Sequence, residues 1–141
     1  MKNVWLLVLL TSCSTSAFSK VSTEIFCFNS GDPKPIRFEM RTYFDSDTKW
    51  EGGFIKYEKS KSLISISLKN KQTSTLSKEM PQETTKTWLE VSGNKITGEY
   101  EFISQGTNVY SMQYTNSNNK KQYLFDLDTN VPSSPESGCQ W

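Results

Sequence analysis

From Ile36 to Phe44 apolar and polar side chains alternate, with Ile36, Phe38, Met40 and Phe44 on one side and Arg37, Glu39, Arg41 and Tyr43 on the other. Successive side chains of a strand point to opposite faces, so this period of two predicts an extended strand with one face buried and one face wet. The rhythm recurs along the chain. Val21–Phe28 sets Ile25 and Cys27 against Phe26 and Phe28, and Leu63–Leu68 alternates Ile64, Ile66 and Leu68 with serines. Thr87–Val91 carries Trp88, Ile96–Ile103 groups Ile96, Tyr100 and Phe102, and Val109–Tyr114 and Gln122–Leu127 follow. Trp50–Tyr57 is a further strand, in which Gly52-Gly53 signals a bulge or tight bend.

Turn chemistry separates these runs. Asn29-Ser30-Gly31-Asp32-Pro33, Asp45-Ser46-Asp47, Ser92-Gly93-Asn94-Lys95, Gln105-Gly106-Thr107-Asn108 and Asn116-Ser117-Asn118-Asn119 supply residues that tolerate positive φ. The polar stretch Lys69–Glu83 reads as a long connection with at most one short edge strand. The tail Pro132-Ser133-Ser134-Pro135 reads as unable to continue a sheet. About eight antiparallel strands at this spacing predict an all-β fold, a small antiparallel barrel or closed sandwich.

The beginning of the chain predicts export. Lys2 precedes the seven apolar residues Val4 to Leu10, too few for the about 20 that span a bilayer. Small residues Ala17 and Ser19 then precede Lys20. This is the pattern of a secretory leader over residues 1–19, with a single β domain over 20–141 and a periplasmic address. Leu10-Thr11-Ser12-Cys13 also resembles a lipobox, which would tether the product to a membrane through a lipid on Cys13. The leader would then be shorter than usual, so a soluble product is the favoured expectation.

Without the leader two cysteines remain, Cys27 and Cys139, near the two ends of the domain. In an oxidising compartment they are expected to pair as one disulfide. Lys2 leaves with the leader, so the net charge of +1 for the whole chain falls to a balance in the domain. Nucleic-acid binding wants a basic excess, so that class of partner is disfavoured. Lysine outnumbers arginine 14 to 2 and the only alanine is Ala17, a bias typical of AT-rich genes, which plasmids often carry.

The chain contains no histidine, which removes a Ser-His triad, a Cys-His pair and imidazole metal ligation. Oxidised cysteines offer no thiolate. Carboxylates remain. Glu99 and Glu101 share one face of a strand, and Asp126 and Asp128 invite a calcium or glycosidase reading, but in both cases the alternation points to a solvated wall. We therefore expect a binding protein rather than an enzyme, with no cofactor and no metal. Trp50, Trp88, Tyr100, Tyr110, Tyr114 and Tyr123 are expected mainly to fill the core. Loops rich in Ser, Asn, Gly, Tyr and Lys suit adaptable hydrogen bonding. Two stand out, expected to act as hairpin loops at one end of the barrel, giving Ser92, Asn94, Lys95, Gln105, Asn108 and Tyr110 as the candidate recognition residues.

Ile25-Phe26-Cys27 in the first strand and Ser137-Gly138-Cys139 at the end make the chain similar to small periplasmic lysozyme inhibitors, exported or lipidated β-barrels with cysteines at these two places. Those inhibitors insert a Ser-Gly loop ending in tyrosine into the lysozyme cleft; Ser92-Gly93-Asn94-Lys95-Ile96 keeps Ser-Gly but has Ile96 where tyrosine is expected. The leader, the opening Thr23-Glu24-Ile25-Phe26-Cys27, the close Glu136-Ser137-Gly138-Cys139-Gln140-Trp141 and the AT-rich bias resemble more closely the plasmid-encoded immunity proteins against pesticin-type bacteriocins. That resemblance implies a partner, a muramidase toxin with a lysozyme-like domain, and a role in protecting the producing cell from it. Lys95, Asn94 or Tyr110 would then donate hydrogen bonds to carboxylates of the toxin's cleft. A different class stays open beside it. Ile96-Thr97-Gly98-Glu99-Tyr100-Glu101 has some likeness to an avidin-type barrel strand, which would imply an avidin-like or lipocalin-like barrel holding a small apolar ligand.

Overall fold

The structure, a computed structural model, describes residues 20–31, 33–75 and 77–141, so the expected leader and Cys13 lie outside the described residues. Eight strands form a closed antiparallel barrel: β1 (Val21–Asn29), β2 (Arg37–Asp45), β3 (Glu51–Tyr57), β4 (Ile64–Ser74), β5 (Glu83–Ser92), β6 (Lys95–Gln105), β7 (Asn108–Asn116) and β8 (Gln122–Leu127). Each pairs with the next in sequence and β8 returns to β1, an up-and-down meander. The barrel alternative is therefore the fold, and the closed sandwich is not. Closure leaves fewer free strand edges for unwanted pairing.

Alternation decides what lies inside. Phe28, Phe38, Met40, Ile55, Ile66, Trp88, Tyr100, Phe102, Met112 and Phe125 form one buried cluster. Phe38 of β2 touches Phe28, Tyr57, Tyr100 and Phe125 with ring centroids 4.8–5.8 Å apart, tying five strands together. Of the aromatics expected in the core, Trp88 and Tyr100 are there, whereas Trp50, Tyr110 and Tyr123 are exposed. Ile36 and Phe44, at the two ends of the second strand's apolar face, are also exposed, because the barrel's packed centre is shorter than its strands.

Two expectations need correction. Within Lys69–Glu83 the pairing reaches further than one short edge strand: β4 runs on to Ser74 and β5 begins at Glu83, paired through Ser74↔Glu83. This part of the wall lines a wet mouth, so it carries no apolar period to read. Gly52-Gly53 makes no bulge, since the β2–β3 register runs unbroken. The glycines are needed for space: a Cβ on Gly52 would lie 2.3 Å from the Trp50 ring and one on Gly53 2.0 Å from the Arg41 carbonyl oxygen.

The tail does form a small sheet of its own, β9 (Ser133–Ser134) with β10 (Gly138–Cys139). It straps the outer face of β1 and β2, and Cys139 is bonded to Cys27 across 112 residues of sequence. Beneath the strap Glu39, on the face expected to be wet, is only 4% exposed. Its Oε2 accepts the Cys139 N–H at 2.9 Å, and its Oε1 takes the Arg41 guanidinium at 2.8 and 2.9 Å. Arg41 also donates to the Pro135 carbonyl at 2.8 Å. Gly138, at φ 67°, is required here, because a Cβ would lie 2.1 Å from Glu39 Oε2.

Candidate binding site

A meander places alternate connections at opposite ends. The β1–β2, β3–β4, β5–β6 and β7–β8 connections share one end, and the β2–β3, β4–β5 and β6–β7 connections share the other. The candidate residues therefore divide. Ser92, Asn94 and Lys95 sit in the β5–β6 hairpin, while Gln105, Asn108 and Tyr110 sit in the β6–β7 hairpin, at the far end of β6. Ten residue steps at about 3.3 Å separate the two, roughly 33 Å.

Toward the first end a polar plug fills the interior, and beside it a cleft of 220 Å³ opens between Ile36, Tyr57, Tyr114, Tyr123 and Phe125. Glu90, 6% exposed, points inward from β5. Its Oε2 accepts the Tyr100 hydroxyl at 2.6 Å, and its Oε1 accepts the Thr97 hydroxyl at 2.7 Å and that of Tyr114 at 3.1 Å. The Tyr100 proton is committed to Glu90, so Tyr57 donates to the Tyr100 oxygen at 3.2 Å. Burial, first, and the nearby Glu90 charge hold the Tyr114 phenol well above its ordinary range; burial and the adjoining Tyr57 do the same to Tyr100. Burial also raises Tyr57. These phenols are fixed donors, and the plug holds the wall together. Gly98 makes room for it, since a Cβ there would lie 2.2 Å from the Tyr114 ring. Above the plug Gly93 (φ 55°) and Asn94 (φ 62°) form a two-residue turn with both central residues left-handed, as a type I′ hairpin requires. Lys95 is exposed beside it.

The opposite end opens into a cup of 370 Å³ walled by Glu24 and Phe26 of β1, Lys71 of β4, Thr84 and Lys86 of β5, Phe102 and Ser104 of β6 and Val109 of β7. Lys71 stands directly opposite Lys86 in the ladder, a like-charge pairing that costs stability. Glu51, reaching in from β3, forms an ion pair with Lys86, and Lys86 lies 5.8 Å over the Trp88 ring. A further 10 Å³ lies beneath, against Trp88 and Met40.

The β6–β7 hairpin beside this cup is braced from below. Gln105, 5% exposed, donates to the Pro81 carbonyl at 2.8 Å and accepts the Tyr110 hydroxyl at 2.6 Å. Gln105 is thus a support, and the Tyr110 phenol is held while the residue stays 57% exposed. Asn108 is exposed. Comparison with known proteins finds no family model, curated protein or solved structure that matches the chain.

The carboxylates considered for catalysis do not meet. Glu99 pairs with Lys69 at 2.6 Å on the outer wall, Glu101 is exposed two residues on, and Asp126 and Asp128 border a shallow cleft with Asn29 and Asn130. Among the described residues no three carboxylates or cysteines gather as a metal site. Lys86, Glu90 and Glu51 are the residues that sequence reading passed over. Lys86 and Glu90 stand two positions either side of Trp88, so the period of two already turned them inward with it.

Proposed function

We propose that the protein is a periplasmic bacteriocin immunity protein, binding and blocking a lysozyme-like, peptidoglycan-cleaving toxin. One observation carries the reading: the barrel is filled by its own side chains, with Trp88, Tyr100, Phe28, Phe38, Met40, Ile55 and Met112 wholly buried. A filled barrel leaves recognition to its rims and outer wall. A wall braced by a disulfide and a buried ion pair loses little freedom when a partner docks, which favours surface recognition of a rigid cleft. The likeness of the cysteine-bearing segments to periplasmic lysozyme inhibitors and pesticin-type immunity proteins supplies the choice of partner.

The domain from Lys20 onward, mixed with such a toxin at equal molar ratio, is expected to abolish murein cleavage while turning over no peptidoglycan itself. Full toxin activity in excess protein would end the reading. Because the two candidate hairpins lie at opposite ends, one toxin cleft engages one of them.

The 370 Å³ cup favours a second reading, a small amphiphile held at the mouth on Phe26, Phe102 and Val109. Native mass spectrometry of protein purified without denaturation separates the two: a stoichiometric small-molecule adduct supports the second.

A further inference from the structure

The barrel wall has a notch. β8 is six residues long and meets β1 only through Phe28↔Leu127 and Asn29↔Asp126. It meets β7 only from Met112 to Thr115. One further bond in the same register, the Asp128 N–H donating to the Cys27 carbonyl at 2.8 Å, ends the seam, and the chain turns away at Thr129 and Asn130. Where β8 would have continued, Val21–Phe26 of β1 and Asn108–Ser111 of β7 have no ladder partner on that side among the described residues, and β1 and β7 do not pair with each other. The 370 Å³ cup opens into this notch: residues of both edges line it and none of β8 does.

The direction of the free backbone groups follows from the bonds present. Cys27 turns its carbonyl toward the β8 side, and the period of two turns the N–H and C=O of Ile25 and Thr23 the same way. Even-numbered residues face β2, as Ser30 N–H to the Ile36 carbonyl and Ser46 N–H to the Lys20 carbonyl confirm. The edge is also undefended. Strand edges are ordinarily protected by lysine or proline, and Val21–Phe26 has neither, its one charged residue, Glu24, facing the cup. Across the notch Tyr110 is the extra residue of a β-bulge, skipped between Ile103↔Ser111 and Ser104↔Val109, and bulges re-aim side chains beside functional sites.

We propose that the notch is the docking site for an extended segment of a partner protein, which enters as an added strand along the line of β8 and lays an apolar side chain on Phe26, Phe102 and Val109. The geometry selects this occupant. A segment that pairs with both edges must have both its own edges free. A second copy's β1 is already paired with β2 and cannot slide between two strands. Main-chain bonds to Thr23 and Ile25 supply affinity, and the apolar floor selects the side chain, the division of labour usual in strand addition. The inference rests on the reading of the protein as a protein binder.

The test uses the whole domain and a displayed library of linear peptides. Enriched peptides are expected to carry apolar residues at alternate positions and to slow amide exchange at Thr23 and Ile25. Thr23→Pro removes an N–H that faces the notch and none that faces β2, so the variant is expected to keep a folded amide spectrum and to bind at least about tenfold more weakly. Thr23→Val is expected to bind like the parent. Unchanged affinity in Thr23→Pro, protection confined to Ser92–Lys95, or no linear binder at all overturns the proposal. A concentration-dependent dimer abolished by Thr23→Pro also overturns it, by making a second copy the occupant. Peptide docking without any effect on muramidases would leave the notch standing and count against the toxin reading. Toxin inhibition untouched by Thr23→Pro would do the reverse.

Discussion

The two ends of the barrel solve the same problem differently. Both must finish a barrel whose strands outrun its apolar core, and both place charge inside. At one end Glu90 is surrounded by the hydroxyls of Thr97, Tyr100 and Tyr114, a fully bonded plug beneath a tight hairpin. At the other, Glu51 and Lys86 neutralise each other below an open cup, Lys71 and Glu24 face its solvent, and one wall stops short. A satisfied buried network fixes structure, whereas exposed polar groups and unpaired edges are free to be used. The difference teaches that the closed end is where the fold's stability concentrates and the open end is where the protein can afford to meet something.

The largest effect should therefore come from the closed end. Glu90→Ala leaves three hydroxyls without their acceptor, at roughly 1–3 kcal/mol for each that stays buried, and is expected to cost about 3–5 kcal/mol in urea unfolding. The matching change at the open end, Glu51→Gln, is expected to cost less, since water reaches its partner. An equal cost at both ends would break the comparison. The same plug predicts alkaline sensitivity. The folded pKa values of Tyr57, Tyr100 and Tyr114 lie above the ordinary value of 10.0. Above about pH 10 the unfolded chain then loses protons that the folded one keeps, so stability is full below that pH and falls as pH rises. Melting temperatures followed through that window should drop more gently in Tyr100→Phe than in the parent.

Next comes the strap. Cys27 lies beside the notch, at the seam where only two residue pairs join β1 to β8. Cys27→Ser and Cys139→Ser should each cost about 2–5 kcal/mol, equally, because each breaks the same bond. The sharper readout is hydrogen exchange: protection should fall more on β1 and β2 than around Glu90. Uniform loss across the barrel would mean that the strap stabilises the fold globally and not the β1–β2 wall beneath it.

How much of this was legible in the sequence differs along the chain for physical reasons. Phe38 and Met40 announce their strand because a buried face leaves a period of two, and Gly93-Asn94 announces its hairpin because few residues accept positive φ. The all-β class follows from such local signals and the Cys27–Cys139 pairing from the expected oxidising compartment, whereas barrel and closed sandwich are told apart only by the return of β8 to β1. Lys71 and Thr84 announce nothing, since the mouth they line is wet. Glu39 lies on the outer face, as its alternation says, yet is buried by Cys139, 100 residues away. Local patterns carry no such information. The separation of Lys95 from Tyr110 follows from counting turns once the meander is accepted, but the notch depends on where β8 stops against β1, a register that no single strand encodes.

The candidate recognition residues give the next effect in size. If the toxin takes one end, Lys95→Ala and Tyr110→Ala should differ sharply, one costing at least about 2 kcal/mol of affinity and the other nearly nothing. Calorimetric titration of the toxin against each variant measures it. Asn108→Ala should move with Tyr110→Ala, and Asn94→Ala with Lys95→Ala. Gln105→Ala is a different kind of change: it unseats the Tyr110 phenol and the Pro81 carbonyl together, so it should lower stability as well as any affinity that depends on that end.

The smallest effect is expected midway between the ends. Glu99 pairs with Lys69 on the outer wall with side chains 39% and 49% exposed, and Glu101 is solvated beside it. Exposed ion pairs contribute about 0–1 kcal/mol, because water screens the attraction and both side chains give up freedom to meet. The double change Glu99→Gln with Glu101→Gln should thus shift unfolding by less than about 1 kcal/mol and leave inhibition of a muramidase intact. The experiment discriminates more than its size suggests. Loss of inhibition without loss of stability would place the toxin on the barrel's flank, where neither the Gly93-Asn94 hairpin nor the notch reaches, and both ends would then be scaffolding. Intact inhibition keeps recognition at a rim, and the contrast between Lys95→Ala and Tyr110→Ala then says which one.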